Sequence, residues 1–268
     1  MLPNTWKLAM SVKPTAICPD RLSAMAEAGI EELELSAGRL HHFMDEMDYP
    51  HRAGEISAVA DSCGLPITSV HLPFGPVELL DPASLDADVR RNTVEKQSEL
   101  LRAAGDAGIG MAVLHPSREP YPDEERAERM KVACEVISCL TDVATEYGIT
   151  LALENLPRTC LGRTSEEMLY FLDRIPNLRA CFDTNHSLRE DNAHFIRALG
   201  EKIVTLHVSD YDFIDEQHLL PFEGKNDWSA IVSALKEVGY RGRFLYELKD
   251  ETLYPLLAEN RRKILSLS

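Results

Sequence analysis

The 268-residue chain has no run of eighteen apolar residues, so no membrane-spanning helix is expected. Its first residues, Met1-Leu2-Pro3-Asn4-Thr5-Trp6-Lys7, lack the basic stretch and apolar run of a secretory signal. Basic residues are in deficit: 28 Lys and Arg against 44 Asp and Glu leave a formal charge of −16. A surface of that sign offers no general attraction to nucleic-acid phosphates or anionic lipid, so no nucleic acid and no membrane is expected as a partner. Cysteine is sparse and unpatterned. The six residues, Cys18, Cys63, Cys134, Cys139, Cys160 and Cys181, include no Cys-x-x-Cys pair, which speaks against a disulfide framework and for reduced thiols in a cytoplasmic protein. Glycine-rich phosphate loops are missing too: neither Gly-x-Gly-x-x-Gly nor a P-loop occurs. No linker, low-complexity tract or long charge run interrupts the chain, which is read as one domain over residues 1–268.

What is present is an alternation. Short apolar runs rich in Val, Ile and Leu are followed by polar loops and then by longer stretches with helical periodicity. The runs are Trp6–Val12, Glu31–Leu35, Ile67–His71, Met111–His115, Ile149–Leu153, Leu178–Phe182, Lys202–His207 and Arg243–Glu247. The clearest helical stretch is Glu124–Tyr147, with Met130, Cys134, Ile137 and Leu140 on one stripe. Gly29, Gly148 and Gly239 each stand just before a strand, where a helix would end. Eight β/α units in a chain of this length predict an α/β fold, a single (β/α)₈ TIM barrel. A doubly wound sheet would want a glycine-rich turn after the first strand, and Ser11-Val12-Lys13-Pro14 is no such turn.

In a barrel, functional side chains belong at the C-terminal ends of the strands, which share one face. Here seven of eight ends carry a carboxylate or an imidazole: Glu34, His71, His115, Glu154, Asp183, His207 and Glu247. From His71 to Glu247 they recur about every 35 residues, close to one β/α unit, and so should converge on one pocket. Glu154, Asp183 and Glu247 would bring three negative charges to that mouth. A divalent cation is the simplest compensation. Three carboxylates with one imidazole are mostly hard donors, favouring Mn²⁺ or Mg²⁺ and admitting Co²⁺. Further imidazoles from His71, His115, His186 or His218 would shift the choice towards Zn²⁺.

The motifs Val70-His71-Leu72-Pro73, Leu114-His115-Pro116, Leu153-Glu154-Asn155, Phe182-Asp183-Thr184-Asn185-His186, Leu206-His207-Val208-Ser209-Asp210 and Tyr246-Glu247 occur in this order. In that order they resemble the xylose-isomerase-like TIM barrels, a superfamily of sugar (phosphate) isomerases and epimerases, inosose dehydratases and endonuclease IV. The resemblance covers nearly the whole chain. It implies one shared divalent ion, Mn²⁺ foremost, held by Glu154, Asp183, His207 and Glu247. Glu154 and Glu247 would also act as acid and base on opposite sides of a bound hydroxy-ketone. Chelating a carbonyl and its neighbouring hydroxyl stabilises an enediolate; one carboxylate takes the α-proton and the other returns it. His186 would either hydrogen-bond a substrate oxygen or orient Asp183. Glu34, His71, His115 and His218 are assigned, with His186, to the substrate side.

Endonuclease IV divides the alternatives. There the counterparts of His71 and His115 bind zinc, while His186 and a histidine matching His218 serve a third ion. This chain departs from that pattern. Glu216 stands where the nuclease has Asp, its Gly-x-Gly is reduced to Phe222-Glu223-Gly224, and Glu154-Asn155-Leu156-Pro157-Arg158 lacks its glycine-rich turn. The ketose 3-epimerase branch carries a Glu and an Arg where this chain has Cys160 and Phe213, so a free ketohexose is not the expected substrate. Arg158 and Arg163 are read as solvated loop residues, the loops Gly38–Tyr49 and Phe74–Leu80 as lids, and Asp227-Trp228 as a helix cap followed by a core anchor. The expected protein is thus a divalent-metal-dependent isomerase or epimerase of a small sugar, sugar phosphate or polyol-like keto compound, compatible with a homo-oligomer. An inosose-type dehydratase, an endonuclease IV-like zinc phosphodiesterase and a non-catalytic ligand-binding barrel are the alternatives.

Overall fold

A computed structural model of the chain describes residues 6–267. Residues 1–5, most of the segment read for a signal, lie outside them, as does residue 268. The strands are β1 Leu8–Val12, β2 Glu32–Ser36, β3 Ile67–His71, β4 Met111–Leu114, β5 Thr150–Glu154, β6 Arg179–Asp183, β7 Ile203–His207 and β8 Phe244–Tyr246. The helices that follow them in turn are α1 Pro19–Glu27, α2 Tyr49–Ser62, α3 Ala87–Asp106, α4 Arg126–Glu146, α5 Ser165–Leu172, α6 Asn192–Leu199, α7 Trp228–Glu237 and α8 Leu257–Leu265.

All neighbouring strands are parallel, in the order β7-β6-β5-β4-β3-β2-β1-β8. A parallel bridge from Val208 to Tyr246, with the Val208 N–H donating to Leu245 O at 2.8 Å, brings the two ends of the sheet together. The expected (β/α)₈ barrel is the fold observed. Gly29, Gly148 and Gly239 take φ of 92°, 69° and 70° after their helices, a conformation in which a Cβ is strained. Asp227 caps α7 by accepting from the Ala230 N–H, and Trp228 is buried behind it, as read from the sequence.

The apolar material fills two spaces. One large cluster lies between strands and helices, and a small one, Val113, Ala152 and Cys181, lies inside the barrel. Above the small cluster the interior turns polar, with Glu34, Ser69, His71, Glu154 and His207 all buried. The register carries this layer: Glu34 stands opposite Ser69, Ser36 opposite His71, and Asp183 opposite His207. All six cysteines are free thiols. Among the described residues no helix is long and apolar enough to cross a membrane.

Candidate active site

Four side chains meet at the C-terminal mouth of the barrel. Glu154, Asp183 and His207 are the last residues of β5, β6 and β7, and Glu247 directly follows β8. Each presents one donor atom within 4.8 Å of the others. His207 Nδ1 is the hub: Glu154 Oε1 lies at 3.0 Å, Glu247 Oε2 at 3.3 Å and Asp183 Oδ2 at 3.9 Å. Asp183 is held in place by its backbone, whose N–H donates to Asn155 Oδ1 at 2.7 Å, while Asn155 Nδ2 donates to Asp183 O at 3.0 Å. Its Oδ1 accepts from the Asn185 N–H at 2.5 Å, but its Oδ2 is buried and without a hydrogen-bond partner. An orphaned carboxylate oxygen beside two more carboxylates and an imidazole suits a divalent cation in size, charge and donor type.

The electrostatics agree. Burial alone would raise Glu154, yet the imidazoles of His207 and His115 hold it well below the ordinary carboxylate range. Against burial, His207 and His218 likewise lower Glu247. Asp183 goes the other way: burial, with the charges of Glu154 and Glu247 added, pushes it well above its usual value in spite of His186. A cluster in which one carboxylate is forced towards its neutral form is one that a cation would relieve.

Two further groups surround these four. Glu154 Oε2 lies 3.0 Å from both His71 Nε2 and His115 Nε2. Across the mouth, His186, Glu216 and His218 bring their own donor atoms within 4.8 Å of one another. Burial takes His115 down to about 4 despite Glu154, whereas burial of His186 is overcome by Asp183, Glu216 and Glu154, which lift it to about 10. A cavity of about 280 Å³ opens between the groups, lined by Phe74, Arg118, His186, His218 and Glu247 among others.

A family model described as "Xylose isomerase-like TIM barrel" matches residues 22–266. The chain belongs to the xylose isomerase-like TIM barrels. The inosose isomerase of Bacillus velezensis is 30% identical over 145 residues, covering 50% of this chain and 52% of that protein. The L-ribulose 3-epimerase of Methylomonas sp. (strain DH-1) is 28% identical over 202 residues, covering 70% of this chain and 67% of its own length. Among solved structures, a D-tagatose 3-epimerase-like protein superposes with a TM-score of 0.81 at 26% identity, covering 96% of this chain and 97% of that one. The chain spans about half to two thirds of the length of the first curated relatives it matches.

Within this xylose isomerase-like barrel the structure brings Glu154, Asp183, His207, Glu247, His71, His115, His186 and His218 to one mouth. Glu34 is the exception. It was expected on the substrate side, but it lies beneath His207, fully buried, and does not line the cavity. Its two oxygens are taken by His207 Nε2 at 3.0 Å and by the Ser69 hydroxyl at 2.6 Å. The reason is depth: Glu34 pairs with Ser69, one layer below the Ser36–His71 pair that reaches the mouth. Arg158 and Arg163 are also not free loop residues. Arg158 pairs with Glu119, Asp215 and Glu216, and Arg163 with Asp123 at 2.9 Å. Glu216 and Arg118 join the site without having been chosen from the sequence. Of the two expected lids, the second brings Phe74 to stack on His115 with centroids 4.6 Å apart, while the first carries His41, exposed, and His42, half-buried.

Proposed function

We propose that this chain is a divalent-metal-dependent isomerase or epimerase of a small keto sugar, sugar phosphate or polyol-like ketone. The carrying observation is the convergence of Glu154, Asp183, His207 and Glu247, whose donor atoms lie within 4.8 Å of one another. Relatives named for ribulose epimerisation and inosose isomerisation support the substrate class. The six free thiols suit a reducing, cytoplasmic setting.

In this reading Glu154, Asp183, His207 and Glu247 hold the ion, with Mn²⁺ expected and Mg²⁺, Co²⁺ or Zn²⁺ able to replace it. When bound, it supplies positive charge against the negative charge that develops on the substrate's oxygens as a carbon-bound proton leaves. Glu154 and Glu247 do the proton transfer. Both are held in the ionised form that a base requires. One accepts the proton from the carbon beside the carbonyl, and the other, once protonated, returns a proton to the other face or the adjacent carbon. Glu154 is fully buried, whereas the Glu247 side chain is 21% exposed, so Glu247 is the one that can exchange its proton with solvent. His71, His115, His186 and His218 line the cavity and bind substrate oxygens.

The test is solvent exchange. Metal-loaded protein incubated in D₂O with a panel of ketoses and inososes should place deuterium on a substrate carbon, without the ultraviolet change of a dehydrated product. No exchange across the panel would sink the reading in favour of a non-catalytic barrel. One observation favours a second reading, an endonuclease IV-like zinc phosphodiesterase: His71 and His115 on Glu154, and the trio His186, Glu216 and His218, offer donors for two additional ions.

A further inference from the structure

Arg118 is unlike the other arginines around the cavity. Arg158 and Arg163 are paired as described, and Arg126 and Arg129 are held by Glu167 and Glu125. The Arg118 side chain lines the cavity, yet among the described residues it makes no hydrogen bond and no ion pair, and its Nε is buried without a partner. The nearby carboxylates are committed elsewhere. Glu119 accepts from Arg158 and from the Thr159 hydroxyl, and Asp81 accepts from the Tyr121 hydroxyl and the Ala83 N–H. What holds Arg118 is an aromatic face: its Cζ lies 5.3 Å from the Phe74 ring centroid. Phe74 in turn stacks on His115, which touches Glu154 at 3.0 Å.

A guanidinium seated on a ring keeps its N–H edge free to meet an anion in plane. A partly desolvated cation with no counter-charge in contact is costly; its Nε is enclosed, so the Nη groups, neither enclosed nor hydrogen-bonded, are the ones an anion in the cavity can reach. No carboxylate of the protein hydrogen-bonds to it; Asp81 feels its charge but gives its oxygens to the Tyr121 hydroxyl and the Ala83 N–H. We propose that Arg118 binds an anionic substituent, a phosphate or a carboxylate, carried by the substrate away from its reacting carbons. This deepens the sugar-isomerase reading and rests on it only for the carbon skeleton of the ligand. It also supplies a specificity group on a chain where Cys160, a buried thiol pushed up to about 12, and Phe213, 47% exposed, offer a sugar no charged contact.

The experiment is calorimetric titration of the protein, metal-loaded, with D-fructose, D-fructose 1-phosphate, D-fructose 6-phosphate, a keto-aldonate and inorganic phosphate. Wild type, Arg118→Gln and Arg118→Lys are compared. At least one anionic sugar should bind wild type about tenfold or more tighter than fructose, and that ratio should fall to about one in Arg118→Gln. The esters and the keto-aldonate tell phosphate from carboxylate. Arg118→Lys keeps the charge without the planar fork, so its ratio should fall several-fold; that variant decides the matter if the Gln variant does not fold. Equal binding of fructose and every anionic sugar by wild type overturns the proposal, as does an unchanged ratio in the variants. If no sugar of either kind binds, inorganic phosphate still tests Arg118, while the isomerase reading stands or falls on the deuterium exchange with ketoses and inososes. Weaker phosphate binding in Arg118→Gln than in wild type supports the anion site, and equal binding overturns it.

Discussion

Glu34 Oε1 and His207 Nε2 lie 3.0 Å apart inside the barrel, and neither side chain reaches solvent. The contact aims the other ring nitrogen of His207 at Glu154, Glu247 and Asp183. Burial alone would raise the Glu34 carboxyl, but His207, with His71 and Arg243 behind it, brings it down to about 2. Its partners therefore favour the ionised form of Glu34. A carboxylate behind a metal-facing imidazole fixes the ring and strengthens it as a donor, and losing one typically weakens metal binding by about 10–100-fold. We expect Glu34→Gln to weaken Mn²⁺ binding by that factor, read by calorimetric titration. Glu34→Ala leaves His207 and Arg243 without their buried partner and should cost about 3–5 kcal/mol of stability in a denaturant titration. Unchanged Mn²⁺ affinity in the Gln variant would show that Glu34 does not support the ion site.

The two glutamates proposed for proton transfer differ in what else they do. Glu154 meets His71, His115 and His207, each at 3.0 Å, from a fully buried position. Glu247 sits at the rim. Glu154→Gln and Glu247→Gln should each cut turnover by at least about 10²-fold, because an amide cannot carry the proton. Only Glu154→Gln should also lower the thermal midpoint markedly, since it removes the charge around which three imidazoles gather, those of His71 and His207 buried. Deuterium-exchange rates and melting curves separate the two effects. Full activity in either variant refutes the two-glutamate mechanism.

Metal content separates the isomerase from the phosphodiesterase. The donor set of three carboxylates and one imidazole predicts about one Mn or Mg per chain by elemental analysis, whereas occupation of all three groups predicts about three Zn. Stripping the ion with a chelator should lower the thermal midpoint in either case, because the native state alone gathers these donors. Restoring Mn²⁺ should recover it. A midpoint indifferent to chelator would mean that no ion belongs to the folded chain.

The pattern of the chain reaches the strands and most of the site, and stops where depth and loop closure decide. Ile67–His71 is both predicted and observed, because Pro66 and the Leu72-Pro73 step give the run sharp ends. Arg243–Glu247 is observed as Phe244–Tyr246 only. Arg243 turns inward, its Nε donating to the Thr205 hydroxyl at 3.2 Å, and Glu247 leaves the strand for the mouth. The expected helix Glu124–Tyr147 begins with a separate turn, Asp123–Glu125, before α4. His71, Glu154, Asp183, His207 and Glu247 are legible because parallel strands in a ring deliver their ends to one face. Glu34 is legible as a strand-end group but not in its depth, which depends on a register shift between Leu33 and Glu34. Glu216 is legible only as the residue that stands where the nuclease has Asp, and Arg118 is not legible at all. Their roles follow from which carboxylates the separate loops bring to Arg158, and that is a property of the closed structure.

The loop after β7 makes the sharpest stability prediction. Asp210, fully buried, accepts from the Tyr211, Phe222 and Asn226 N–H groups and from Trp228 Nε1 at 2.8–3.0 Å, so the loop carrying Glu216 and His218 folds around one carboxylate. Gly224 presses against this centre. A Cβ there would lie 2.5 Å from Tyr211 O and 2.6 Å from Tyr211 N, backbone atoms that cannot swing aside. Gly224→Ala should therefore destabilise by about 1–3 kcal/mol and weaken ligand binding on the His186 side of the cavity. Gly54, exposed inside α2, is the contrast: nothing lies within 4 Å of its added Cβ, and relief of backbone freedom should make Gly54→Ala more stable by about 0.5–1 kcal/mol. Denaturant titration of both variants reads the two signs. A neutral Gly224→Ala would mean that the loop is not built tightly on Asp210, and that Glu216 and His218 owe their positions to something else.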